Sequence, residues 1–340
     1  MLYDVYDVKL DEFVIITWNE ETILRKLQAF DEYFNGIENS FIHQDYICQE
    51  FELLDISLRE FIRTRSRVSL PEIRKILHQA ASALQILKNL GIIHADLKPD
   101  NIMMVDQAKQ PLRIKIIDFG ISLETSKAKQ GWLIQSLWYR APEIMLACPF
   151  SNDVDMWSLG CIAAEMFLGF ALYNGNTEYD MLWQITQSHG PFPKAFLSNG
   201  WKTNTFYKLD LCDSLNLMSP VEFGNNLTCL FDELCDATAF LDLLSSMLTI
   251  DPSTRIHPAQ VLEHSFITMK QLIATFETNT FAHLGVIHMC ANFYDPTQNR
   301  TRGQAEFEFG MYGIQQCKAE HFSSCGLSST IRSRHYLKSM

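Results

Sequence analysis

The chain has 340 residues, 47% hydrophobic and 20% charged, enough to bury a sizeable core in one large or two modest domains. A formal net charge of −12 argues against nucleic acid as a direct partner and favours partners that carry basic patches. Nine cysteines without a C-x-x-C pair or zinc-ligand spacing read as reduced thiols, and the acidic start MLYDVYDVKLDEF shows no secretory leader.

In chain order, residues 13–17 (FVIIT) predict a short strand, residues 20–30 a helix, and residues 45–54 (DYICQEFELL) a second strand. Residues 70–90 predict a strong helix: Pro71 stands near its start, apolar residues recur every three or four positions, and Gly91 follows its end. Two short apolar runs, 102–105 and 114–117, suggest a hairpin. The most apolar stretch, residues 157–173 (WSLGCIAAEMFLGFALY), is near the lower length limit of a membrane span and carries Glu165 in its middle. It reads as a buried core helix, and no membrane partner is expected. Further helices are expected over 153–169 and 240–248, whereas beyond residue 281 periodicity dissolves and partial disorder is predicted.

His94-Ala95-Asp96-Leu97-Lys98-Pro99-Asp100-Asn101 carries the strongest chemical signal. Transfer of a γ-phosphoryl group needs an acceptor for the substrate hydroxyl's proton, a cation near the migrating charge, and metal ligands. Asp96 suits the first role and Lys98 the second, while Asn101 offers a neutral oxygen to Mg²⁺, which prefers hard oxygen ligands. Asp118, in Asp118-Phe119-Gly120, would hold a second Mg²⁺ and bridge the phosphates of ATP, with glycine letting the backbone turn after it. Either motif alone could be ordinary turn chemistry. Both, in this order and followed by Ala141-Pro142-Glu143, match the protein kinase signature set.

The details narrow the resemblance. His-Ala-Asp-Leu-Lys-Pro, the run Gln135-Ser136-Leu137-Trp138-Tyr139-Arg140-Ala141-Pro142-Glu143, Cys148-Pro149-Phe150 and the stretch from Phe167-Leu168-Gly169 to Glu178-Tyr179-Asp180 together resemble the homeodomain-interacting protein kinases, over roughly residues 20–270. The resemblance implies an α+β, two-lobe protein kinase fold, with residues 1–54 as an abbreviated strand-rich lobe, 55–270 as a complete helical lobe and 271–340 as a partly disordered tail. It implies ATP and Mg²⁺ as cofactors, serine or threonine hydroxyls of proteins as acceptors, transcription regulators among the partners, and a nuclear or cytoplasmic location. Phe51 would be the gatekeeper of the adenine pocket, with Glu52 and Leu54 in the hinge that bonds adenine. Asp155 would brace the catalytic-loop backbone, and Arg255 would pair with Glu143.

Two departures bear on activity. No G-x-G-x-x-G precedes Glu20, which aligns with the helix glutamate that pairs the ATP lysine; the first glycine is Gly36, and Lys9 is the sole lysine on that side. Either the sequence starts late or the phosphate clamp is lost, so a catalytically silent scaffold stands as the alternative to an enzyme. In the activation segment, Leu133 and Leu137 replace the tyrosine and arginine of the related kinases, and Ala95 replaces the arginine that grips an activation-loop phosphate. The expectation is an ionic latch turned into an apolar contact.

Overall fold

The computed structural model describes residues 2–7, 12–43, 46–65, 67–207 and 230–269. Lys9 and the tail from residue 270, with the disorder expected there, lie outside the described residues.

The chain begins with an antiparallel hairpin, β1 (Leu2–Asp7) and β2 (Glu12–Thr17), in the register Leu2↔Thr17 to Asp7↔Glu12. Helix α1 (Trp18–Leu27) follows, buries Ile23, Leu24 and Leu27 on one face, and ends in a single 3₁₀ turn over Gln28–Phe30. A second antiparallel hairpin joins β3 (Ile37–His43) to β4 (Tyr46–Phe51). The strand expected over 45–54 thus stops at Phe51, where the chain runs on through Leu54 to α2 (Leu58–Arg63), and β3 was not foreseen at all.

The larger part is built on α3 (Leu70–Asn89) and α5 (Asp153–Leu168). The Glu72 carboxylate caps the start of α3 by accepting from the backbone N–H and hydroxyl of Ser69. Ile73, Ile76, Leu77, Ala80, Leu84 and Leu87 then face the core, and Gly91 leaves the helix at φ 65°. Between the two helices lie β5 (Ile92–Ile93), the expected hairpin of β6 (Ile102–Asp106) with β7 (Gln110–Ile116), β8 (Leu123–Glu124) and the short α4 (Pro142–Met145). β5 pairs with β8, so the two segments that flank the site are stitched at their outer ends.

Helix α5 is the apolar run singled out above. It is buried on every face from Val154 to Met166, which is how a helix apolar all round is satisfied in a globular core. Glu165 survives there because Arg59 and the Tyr139 hydroxyl bond its carboxylate. No helix among the described residues is long and apolar enough to cross a membrane. After α5 come α6 (Glu178–His189), α7 (Lys194–Ser198) and α8 (Thr203–Phe206); α9 (Leu230–Met247) packs on α5, and α10 (Pro258–Glu263) and α11 (Ser265–Thr268) pack on α3. The helix expected at 240–248 therefore begins ten residues earlier, at Leu230.

The strand-rich part meets the site directly. Phe34 bridges Ile116 in parallel, the N–H of Asn35 donates to the Ile116 carbonyl at 3.2 Å, and that of Ile116 donates to Tyr33 at 2.9 Å. These bonds place the segment that follows α1 against the end of β7, two residues before Asp118.

Candidate active site

The catalytic loop leaves β5 at Ile93 and is held from below by α5. The Asp155 carboxylate accepts from the backbone N–H of His94 at 2.8 Å and of Ala95 at 3.0 Å, the brace expected from the sequence. Ala95 is thereby kept at φ 70° and fully buried. Of the other left-handed non-glycine residues, Asp118 at φ 64° and Gln135 at φ 67° belong to the site, whereas Leu112, Ala147 and Met269 lie outside it. Each such residue costs about 1–3 kcal/mol and persists because its surroundings over-determine it. One left-handed residue thus falls in each of the three segments that form the site.

Asp96 stands where these segments converge. Lys98 Nζ donates to its Oδ2 at 2.6 Å, and Asn101 Nδ2 donates to its backbone carbonyl at 2.9 Å and to Oδ2 at 3.3 Å. Its Oδ1 accepts from the Ser136 N–H at 3.1 Å and the Ser136 hydroxyl at 2.7 Å. Ser136 belongs to the functional set although it was read from the sequence only as part of a motif. Its partner lies 40 residues upstream, beyond any local pattern. Four donors fix both carboxylate oxygens in direction.

Asp118 follows β7, and its Oδ1 accepts from the Gly120 N–H at 3.2 Å. Phe119 turns inward, fully buried, and packs edge-on against His94 (4.9 Å between centroids) and Phe34 (5.7 Å). Because the Asn101 amide nitrogen is committed to Asp96, its oxygen is turned to the other side. Asn101 and Asp118 are linked through the Ile117 N–H, which donates to the Asn101 carbonyl at 3.0 Å. They supply two hard oxygen donors of the kind a divalent cation takes, so the residues present fit such an ion.

Glu20, in the first turn of α1, faces Asp118 and is only 8% exposed. Among the described residues no lysine or arginine pairs with it. Burial first, and the Asp118 charge second, push its carboxyl from 4.5 up to about 7, against a bond from the Phe119 backbone. A carboxyl raised on folding stabilises the fold fully below its unfolded value and loses that contribution as the pH climbs through about 7. Glu20→Gln is therefore expected to raise the melting temperature of the nucleotide-free chain at about pH 8 and to leave it nearly unchanged at about pH 4. An equal shift at both pH values would refute this.

At the other end of the cleft, Phe51 closes β4 and is half-buried, Leu54 is buried, and Leu53 points outward at 71% exposure. Glu52 forms an ion pair with Lys115, and its carbonyl accepts from Asn35 Nδ2 at 3.1 Å, which leaves one lone pair of that oxygen for a ligand. The segment after β4 is tied to β6 by the Asp55 N–H on the Met104 carbonyl, 2.9 Å.

The activation segment is docked differently from the expectation. Leu133 is 63% exposed, whereas Leu137 packs against the core, so no buried leucine pair forms. Two glutamines hold the segment instead. The Gln135 N–H donates to the Ala95 carbonyl at 2.8 Å, and its side-chain amide donates to Val154 and Ser158 while accepting from the Ala141 N–H. Gln130 Nε2 reaches the carbonyls of Ala147 at 2.8 Å and Asn199 at 2.9 Å. Neutral amides suit these places because each buried backbone group needs one partner and no charge.

The Asp96 carboxylate clamped by a lysine and a serine, two oxygen donors beside it and the expected Glu143–Arg255 pair are the arrangement that phosphoryl transfer asks of a protein kinase. Residues 7–267 match the family model "Protein kinase domain", and the chain belongs to that family. Its relatives are homeodomain-interacting protein kinases. It is 37% identical over 324 residues to homeodomain-interacting protein kinase 2 of Mesocricetus auratus, covering 83% of this chain and 28% of that protein. It is 40% identical over 291 residues to homeodomain-interacting protein kinase 1 of Mus musculus, covering 75% of this chain and 24% of that protein. With homeodomain-interacting protein kinase 4 of Homo sapiens it shares 36% identity over 281 residues, 69% of this chain and 45% of the relative. The chain thus spans between about a quarter and a half of the length of these relatives. A protein kinase domain uses ATP and a divalent metal ion.

Proposed function

We propose that the chain is a serine/threonine protein kinase of the homeodomain-interacting type, which moves the γ-phosphoryl group of ATP to serine or threonine hydroxyls of proteins. The observation that carries this reading is the Asp96 carboxylate, held by Lys98 at 2.6 Å on one oxygen and by Ser136 at 2.7 Å on the other. In the proposed step the substrate hydroxyl oxygen forms a bond to the γ-phosphorus as the β–γ bridging bond breaks. The electron pair leaves with ADP, and the hydroxyl proton passes to Asp96. Lys98 balances charge on the transferred group. Asn101 and Asp118 would hold Mg²⁺, which would supply charge neutralisation at the phosphate oxygens. Phe51, Glu52 and Leu54 form the adenine end of the cleft, and residues 1–54, 55–270 and 271–340 serve as the small lobe, large lobe and tail.

The acceptor and partner class follow from charge and kinship. A net charge of −12 attracts basic proteins, and the names of the relatives say that they interact with homeodomains, so transcription regulators with a basic domain are the partners we expect, in nucleus or cytoplasm. A thermal-shift titration tests the nucleotide site. Millimolar ATP with Mg²⁺ should raise the melting temperature by several degrees, more than ATP with EDTA does, because a ligand that binds the folded state stabilises it. No shift, together with no phosphate transfer to a basic protein, overturns the reading.

A further inference from the structure

Arg59, on α2, is a cation that the catalytic machinery does not use, and its position is unusual. Its Nε and Nη2 donate to Asp100 Oδ2 at 3.3 and 3.1 Å, Nη1 donates to Glu165 Oε1, and Nη2 donates to the Tyr139 hydroxyl at 2.6 Å. That hydroxyl in turn donates to the other Glu165 oxygen at 2.6 Å. The partners come from three different elements, 41, 80 and 106 residues away: the catalytic loop, the activation segment and the core helix α5.

The pocket that receives the guanidinium opens beside the catalytic base. Asp100 is the residue before Asn101, whose amide touches Asp96, and Tyr139 lies three residues beyond Ser136, which clamps Asp96. A peptide that brings its hydroxyl to Asp96 passes over these same two segments. The Asp100 side chain at the mouth is 49% exposed, Arg59 is 15% exposed, and Glu165 at the floor is 4% exposed. A carboxylate so deeply placed needs a cationic partner, and the seated guanidinium shows which ligand chemistry the pocket takes.

We infer that Arg59 occupies from within a pocket that would otherwise select a basic residue of the substrate, and so makes acceptor choice indifferent to arginine at the corresponding peptide position. This rests on the kinase reading for its consequence, though not for the pocket itself. With Arg59 in place the Asp100–Glu165 pair carries one net negative charge instead of two, and its floor is sterically closed. Arg59 is thus a specificity-determining residue that acts by exclusion.

The test compares the full chain with Arg59→Ala in two measurements. The first needs no activity: ethylguanidinium, with ethylammonium as control, should raise the melting temperature of Arg59→Ala and leave that of the parent chain unchanged, as expected when a ligand refills a vacated charged site. The second is phosphorylation of a positional peptide library. The parent chain should vary less than about twofold between arginine and alanine at every position, and Arg59→Ala should favour arginine at one position by at least about tenfold. Adding Glu165→Gln to Arg59→Ala should abolish both effects, a result that a merely structural role for Arg59 does not produce. Arg59→Gln, which keeps a donor toward Tyr139 without the charge, should show the same gain at smaller size and serves if Arg59→Ala does not fold. Equal response of parent and variants to ethylguanidinium, or an unchanged library profile, overturns the inference. If no chain phosphorylates any peptide, the kinase reading fails alone, and the melting measurement still decides the pocket.

Discussion

Replacing Asp96 with asparagine is expected to lower phosphoryl transfer by about 10²–10⁴-fold, while the melting shift produced by ATP and Mg²⁺ persists. The residue is half-buried, and both its oxygens are spoken for, by Lys98 and Asn101 on Oδ2 and by Ser136 on Oδ1. Asparagine matches this shape but turns an NH₂ toward one of those donors and offers no carboxylate to take a proton. The fold therefore loses little beyond one charge-assisted bond, whereas the chemical step loses its proposed base. Single-turnover transfer to a serine peptide is the appropriate measurement, since product release does not mask it. A rate within a few-fold of the parent chain would show that another group takes the proton. Loss of the nucleotide shift as well would show that the substitution damaged the cleft rather than the chemistry.

The second large effect concerns stability. Arg255 and Glu143 are both fully buried, with the guanidinium bidentate on the carboxylate at 2.6 and 3.0 Å. Its remaining donors reach the carbonyls of Thr249, Asp153 and Ile250, so all five N–H groups are used, and the cation lies 5.3 Å from the Trp157 ring centre. Arg255→Met should cost about 3–5 kcal/mol, because it strands a buried anion and orphans three carbonyls at once. That is a large share of the roughly 5–15 kcal/mol that stabilises an ordinary domain. Urea unfolding followed by tryptophan fluorescence reads the loss. The double variant with Glu143→Gln should be clearly more stable than the sum of the single losses predicts, since the stranded charge is then gone. Simple additivity would mean that the two side chains do not act as a pair.

Legibility in the sequence followed the range of the interactions. Asp96, Lys98, Asn101 and Asp118 stood out because their chemistry is packed into two short motifs, and α3 and α5 because their apolar spacing is regular over several turns. The Asp155 brace and the Arg255–Glu143 pair were anticipated only through kinship, as they span 60 and 112 residues. Gln135 and Ser136 were legible only as members of a motif, without their docking role, and nothing local marks Gln130 or Arg59: a glutamine that satisfies two distant carbonyls looks in sequence like any surface glutamine. The leucine substitutions at 133 and 137 invited an apolar reading because residue type is visible in sequence and direction is not. One side chain turned out and the other in. Strand β3 was missed for a similar reason, since Ile37–His43 mixes polar and apolar residues without clean alternation and owes its form to pairing with β4.

The left-handed backbone at Ala95, Asp118 and Gln135 bears on how this protein fails. Asp155 on α5 holds Ala95 and the start of α5 holds Gln135, whereas Asp118 is closed by the Gly120 N–H two residues on, so two of the three segments lean on the helical core. Heating or denaturant should therefore erase the site and the helical core in one event, with no surviving catalytic remnant and no gradual decline in turnover beforehand. For the described residues, competence is thus borrowed from the core helix: whatever loosens α5 takes the site with it.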